Sequence, residues 1–154
     1  MIRKDVWLVV IGEAGTTPKI SIDDGCVINN QVTISAKNYI HIEDDVMLSR
    51  SVLIMDHNHA YEDPRLPVRE QGVTQGGKVK IEQGCWIGQG AAIVCSQGEL
   101  VIGRNSVVAA NSLVTRSFPP FSVVVGNPAR LARQFDLAKQ VWVGGGSGAQ
   151  QSAG

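Results

Sequence analysis

Two of the three histidines, His57 and His59, stand one residue apart in the run Met55-Asp56-His57-Asn58-His59. An imidazole, with an unperturbed pKa of about 6.5, can take a proton from a hydroxyl and return it to a leaving group around neutral pH. It does this better when an acceptor holds its second ring nitrogen. Asp56, Glu62, Asp63 or a backbone carbonyl could serve, and Asp56 could equally cap a turn. The third histidine, His41, lies on a polar stretch before Ile42 and reads as a surface residue. The cysteines Cys26, Cys85 and Cys95 form no CxxC pair and are odd in number. That argues against a disulfide framework and for reduced thiols in a cytoplasmic protein.

The elements that must position these groups are written in a repeat of six. From Ile22 the aliphatic positions run to Ile28 and Ile34, slip by two, and resume at Ile42, Leu48 and Ile54. After a long interruption they restart at Ile81, Ile87 and Ile93. Three added residues around Cys95–Leu100 precede Ile102, Val108 and Val114. Between them lie turn formers such as Asp23-Asp24-Gly25, Glu43-Asp44-Asp45 and Gly103-Arg104-Asn105. A period of six suits neither a helix nor a plain alternating strand. It suits a short strand followed by a corner, three of which close a triangular coil of about eighteen residues. A sandwich would repeat its strands at about 8–12 residues instead.

The pattern predicts an all-β domain over 1–133, with the loop 55–80 protruding from the interruption. A loop of that length in a compact fold is often functional. A short extension over 134–143 and a disordered Gly/Ser/Ala/Gln-rich tail over 144–154 complete the chain. Basic and acidic residues balance at fourteen each, so neither nucleic acid nor an anionic membrane is indicated as a partner. The longest apolar run, Val6–Ile11, is too short to span a bilayer.

The stretches Ile81-Glu-Gln-Gly-Cys-Trp-Ile-Gly and Ile102-Gly-Arg-Asn-Ser-Val-Val-Ala-Ala-Asn-Ser-Leu-Val-Thr, followed by Pro119-Pro120 and Gly126-Asn-Pro-Ala-Arg130, resemble the hexapeptide-repeat acyltransferases. The likeness is to the maltose, galactoside and sugar O-acetyltransferase branch, over roughly residues 20–135. It implies a left-handed parallel β-helix of about four to five triangular coils with a short C-terminal helix or extension. It also implies a homotrimer with sites between subunits, acetyl-CoA as acyl donor without a metal, and a sugar or other small molecule as acceptor.

Residue by residue, the resemblance implies His59 as general base, with His57 two positions earlier as the lesser candidate. It puts Asn29 at the acceptor hydroxyl, although Asn29-Asn30 could equally be turn residues; His57 and Asp56 would stand near the acceptor. The amide of Gln89 would face the thioester oxygen and that of Ala110 the pantetheine arm. Thr115 and Arg116 would face the nucleotide, and Arg130 and Arg133 the 3′-phosphate, where guanidinium forks suit phosphate oxygens. Trp86 would pack at the subunit seam or beside pantetheine. An N-acetyltransferase acting on an amino sugar, or a serine acetyltransferase, would change only the acceptor. A γ-carbonic-anhydrase-like zinc protein fits poorly, because His57-x-His59 has the wrong spacing and no histidine follows it. A silent trimeric scaffold would need neither His59 nor the Gly-Asn-Pro-Ala-Arg element.

Overall fold

An aliphatic residue every six positions reaches a common interior only if the chain turns a corner after each short strand. The computed structural model, which describes residues 1–12 and 19–144, does this around three faces. Face I carries β2 (Ile20–Ile22), β5 (Tyr39–Ile42), β8 (Lys78–Ile81) and β11 (Glu99–Ile102). Face II carries β3 (Val27–Ile28), β6 (Met47–Leu48), β9 (Trp86–Ile87), β12 (Val107–Val108) and β14 (Ser122–Val125). Face III carries β1 (Trp7–Val10), β4 (Thr33–Ala36), β7 (Leu53–Met55), β10 (Ala92–Val94) and β13 (Leu113–Val114). Neighbours on a face are parallel and one coil apart.

The predicted columns are the core. Ile34, Ile54, Ile93 and Val114 stack on face III, and Ile28, Leu48, Ile87, Val108 and Val124 on face II, all fully buried. Each such side chain stabilises by about 1.5–3 kcal/mol, but only with a coil on either side. Sequence reading started the repeat at Ile22; the structure starts it earlier. Ile2 pairs with Ile28 and Leu8 with Ile34, so a partial coil precedes the first full one.

Two corners are regular. The I–II corner (23–26, 43–46, 82–85, 103–106) and the II–III corner (29–32, 49–52, 88–91, 109–112) each place their third residue at positive φ. Gly, Asn and Asp occupy most of these positions because they adopt that conformation at least cost. At Gly84 a side chain would also collide with Asn105 Oδ1, 2.3 Å from where its Cβ would sit. The III–I corner absorbs every irregularity: 37–38, then 56–77, then 95–98. The protruding loop is therefore 56–77 rather than 55–80, since Met55 and Lys78 already belong to strands; it holds one turn of 3-10 helix, Val68–Glu70.

The C-terminal segment is an extension and not a helix. β15 (Arg130–Asp136) turns back antiparallel on β14, and β16 (Val141–Val143) pairs antiparallel with β15. Phe135 and Trp142 meet edge to face across that pair at 5.4 Å. β15 crosses the expected boundary at 133, and residues 145–154 of the expected tail lie outside the described residues. Among the described residues no helix is long and apolar enough to cross a membrane.

All three cysteines are buried and free. Desolvation pushes the Cys85 thiol up to about 11 and raises that of Cys26. Since the thiolate is the reactive form, a thiol reagent at pH 8 is expected to leave Cys85 untouched in the native protein. All three should react in denaturant; rapid native labelling of Cys85, followed by peptide mass spectrometry, would contradict this burial.

Candidate active site

The long loop leaves the III–I corner at Asp56, and this residue explains how it is anchored. Asp56 continues the inward-facing positions of β7, where the neighbouring coils place Ala36 and Cys95, and it is fully buried. A carboxylate there must be satisfied by hydrogen bonds. Oδ1 accepts from the amide of Lys37 at 2.7 Å, and Oδ2 from those of Asn38 at 2.7 Å and Tyr39 at 2.8 Å. Oδ1 also meets His57 Nδ1 at 3.0 Å. With three amides already donating to the carboxylate, Nδ1 is the donor in that contact, which leaves the lone pair on Nε2. His57 is 4% exposed. Among the described residues Nε2 has no partner and no buried side-chain nitrogen or oxygen lacks one, so Nε2 is at the ring's solvent-facing edge.

The same corner holds the loop's far end. Lys37 Nζ donates to Thr74 O, Asn38 Nδ2 to Gln75 O at 3.0 Å, and Gly77 N to Asp56 O at 2.6 Å. The register slip between Ile34 and Ile42 was the only sequence sign of this clamp. His59 is exposed; its amide donates to Asn58 Oδ1 at 2.9 Å, and its backbone bridges to Val73. His41 bonds Asp23 Oδ2 at 2.8 Å on the outside of face I, away from the loop. No group of three metal-ligating side chains forms among the described residues.

Two cavities open below the loop. One, of about 420 Å³, is bordered by Asn58, Cys95, Ser96, Gln97, Thr115 and Arg116 among others. The second, of about 350 Å³, lies between Tyr61, Glu62, Thr74 and Gln75 on the loop side and Ser96 and Gln97 on the other. Thus Thr115 and Arg116 are brought to the foot of the histidine-bearing loop. Arg116 stacks on Phe118 at 5.3 Å, a cation–π contact that leaves its exposed guanidinium near the cavity mouth.

The remaining candidates lie elsewhere. Gln89 and Ala110 sit at the II–III corner, and neither amide has an acceptor among the described residues. The same is true of Asn30 and Arg50 in the coils above. At the I–II corner, by contrast, side chains cap three of the four matching amides: Asp24 N to Asp44 Oδ1, Gln83 N to Glu43 Oε2 and Arg104 N to Glu82 Oε2. The II–III corner is therefore a column of open donors beside small residues. At Gly88 a Cβ would sit 2.6 Å from the Ala110 nitrogen, so only glycine fits there. Asn29 is at this corner too, its Nδ2 donating to Leu48 O at 3.2 Å, a bond that ties one coil to the next. Trp86 is 46% exposed on face II between Met47 and Val107, with Nε1 donating to Ser49 Oγ at 2.9 Å. Arg130 and Arg133 are exposed at the end of face II on β15, and neither borders the two cavities. Within one chain, face III separates His57 from the open amides.

A triangular parallel coil with a six-residue period, two regular corners and one variable corner defines the left-handed parallel β-helix class. No protein-family model matches the sequence. Among curated proteins, one from Escherichia coli K12 named provisionally as a lipopolysaccharide biosynthesis O-acetyl transferase, WbbJ, is 27% identical over 130 residues, 80% of this chain and 64% of its own. A hexapeptide-repeat-containing acetyltransferase from Vibrio cholerae, solved with acetyl-CoA, is 28% identical with a TM-score of 0.69, over 88% of this chain and 70% of that one. A maltose O-acetyltransferase from Clostridium difficile is 29% identical with a TM-score of 0.62, over 85% and 65%. The chain thus spans less than two thirds of WbbJ, and 37% of a provisionally named acetyltransferase from Mycobacterium tuberculosis. By fold, repeat and relatives, the chain is similar to the hexapeptide-repeat acetyltransferases.

Proposed function

We propose that the protein is an acetyl-CoA-dependent O-acetyltransferase acting on a sugar hydroxyl, with a histidine of the loop as general base. The observation that carries this reading is the Asp56–His57 pair at the root of the loop, immediately before Asn58, which borders the cavity that Thr115 and Arg116 also border. In the reaction the base takes the acceptor's hydroxyl proton as its oxygen attacks the thioester carbonyl. The C–S bond then breaks and the imidazolium returns the proton to the departing thiolate. The developing oxyanion needs a fixed N–H donor, and the open Gln89 amide on its rigid corner suits that task, with Ala110 one coil on for the pantetheine arm. Relatives named as O-acetyltransferases, one of them for lipopolysaccharide, support the acyl chemistry and a sugar acceptor.

Of the two loop histidines, the family resemblance favours His59 and the geometry favours His57. What supports His57 is the carboxylate on its Nδ1; His59 has no side-chain acceptor among the described residues. Because His57 and the Gln89 amide lie on different edges of one prism, a complete site requires the III–I corner of one protomer to face the II–III corner of another. A homotrimer meets that requirement.

The direct test is acetyl transfer by the purified protein to nucleotide sugars, glycosides, amino sugars and serine; acetylation of serine alone would move it to another branch. A second expectation concerns Arg130 and Arg133. If they hold the 3′-phosphate, CoA should bind about tenfold more tightly than dephospho-CoA, the value of one charge-assisted hydrogen bond at a solvent-exposed site. Arg130→Ala should erase that difference. Equal affinities in the native protein, measured by calorimetry, would remove both arginines from the site.

A further inference from the structure

We propose that the 350 Å³ cavity between the loop and the Ser96-Gln97 bulge is the acceptor subsite, and that it admits neutral or amino sugars while rejecting acidic ones. This rests on the acetyltransferase reading above and says where the acceptor sits and which charge it carries.

The chemistry of the lining is the first argument. Asn58, Thr74, Gln75, Ser96 and Gln97 offer amides and hydroxyls, groups that both donate and accept. A sugar hydroxyl also does both, so such a wall matches a ring bearing several of them. The side chains of Gln75, Ser96 and Gln97 have no hydrogen-bond partner among the described residues, so they are available to a ligand. Tyr61, 67% exposed, presents an aromatic face at the rim. Glu62 is the single charged residue among those lining the cavity, and no Lys, Arg or His joins it. A carboxylate or phosphate placed there would face Glu62 with no cation among the lining residues; Lys37 Nζ, which donates to Thr74 O, does not border the cavity. Any phosphate carried by the acceptor must therefore lie outside.

The second argument is rigidity. The bulge is locked from below: Cys95 is buried with Sγ 3.2 Å from Gln97 O, and Gly98 O accepts from Lys78 N at 2.8 Å. It is locked from the side by Gly77, where a Cβ would lie 2.5 Å from Cys95 Sγ and 2.8 Å from Gly98 O. The opposite wall is fixed by Thr74 N to Asn58 O at 2.8 Å and Asn58 N to Thr74 Oγ1 at 3.1 Å, above the Lys37–Asn38 clamp. A backbone already held in place leaves only side chains such as Gln75 and Gln97 to be ordered on binding.

The third argument is position. Asn58, Ser96 and Gln97 border both cavities, so the bulge stands between the side carrying Thr115 and Arg116 and the side carrying Tyr61 and Glu62. Asn58 is the residue between the two histidines. An acceptor held at Asn58 would therefore lie beside the residues that carry the proposed base.

The experiment is steady-state acetyl transfer by the native protein and by Tyr61→Ala, Gln97→Ala and Glu62→Gln, with CoA affinity measured alongside. The best neutral sugar acceptor from a panel is compared with its uronic acid counterpart. Tyr61→Ala and Gln97→Ala should each raise the acceptor KM about 3- to 10-fold, the value of a lost hydrogen bond or contact, with CoA affinity unchanged. The native protein should favour the neutral sugar, and Glu62→Gln should narrow that preference. If CoA binds and transfer proceeds but both alanine variants keep the native acceptor KM, the subsite is overturned and the acetyltransferase reading stands. A native preference for the acidic sugar, or transfer confined to non-sugars, overturns it equally. Failure of the native protein to bind CoA would instead sink the acetyltransferase reading beneath it.

Discussion

His57→Ala is expected to lower acetyl transfer by roughly 10²–10⁴-fold, the usual cost of losing a general base, while CoA still binds. That range is about 3–5 kcal/mol of activation free energy. The loss should fall on kcat, because a general base acts on the proton that moves in the transition state and not on the bound donor. His59→Ala is the necessary companion. His59 is exposed and its backbone is held by Asn58 and Val73, so removing its ring should leave the loop in place. A loss of less than about tenfold is expected for it, within what one ordinary hydrogen bond contributes. Single-turnover transfer with saturating acetyl-CoA separates the two variants from effects on binding. If His59→Ala shows the larger loss, the base is the one the family resemblance indicates, and Asp56 then serves the corner alone.

The reason the two readings part at this point is physical. The resemblance picks His59 by its place along the chain, and sequence position cannot say which ring lies against a carboxylate. That contact depends on Asp56 occupying an inward position that Ala36 and Cys95 fill in neighbouring coils. A charged residue there contradicts the apolar column, and only the amides of the preceding coil explain it.

The columns themselves were legible, since Ile28, Ile34, Ile54 and Ile87 recur at a spacing that nothing but a coil would bury. Ile2 and Leu8 also obey the spacing of six but stand apart from the other repeats, so the first partial coil passed unnoticed. The returning strand over Arg130–Asp136 was hidden because its apolar residues are too few to set a period. Only the family resemblance points to the amides of Gln89 and Ala110, which the structure leaves open. What distinguishes their corner from the capped one is the acidic side chains Asp44, Glu43 and Glu82, whose partners no linear pattern reveals.

Asp56→Ala should be the most destabilising single change in the site, because one carboxylate serves four donors. Its removal strands the amides of Lys37, Asn38 and Tyr39 and frees Nδ1 of His57. Hydrogen bonds to a charged group contribute about 1.5–3 kcal/mol each. Water can reach part of this corner, since Asn38 is exposed and Lys37 and Tyr39 are half-buried. The net loss is therefore expected at about 3–5 kcal/mol, comparable to breaking a buried charged pair. With a urea m-value of about 1–3 kcal/mol/M, the unfolding midpoint should fall by more than about 1 M. Asp56→Asn should not restore it: whichever way the amide is turned, its NH₂ faces a backbone N–H that the carboxylate now accepts. Transfer should fall with stability in both variants, but for a separate reason, since the imidazole loses the group that fixes its tautomer. Measuring kcat well below the new midpoint, where the variant is still folded, distinguishes the two effects. A native urea midpoint in Asp56→Asn would show that the corner does not depend on the carboxylate, and the clamp on the loop would have to lie with Lys37 and Asn38 alone.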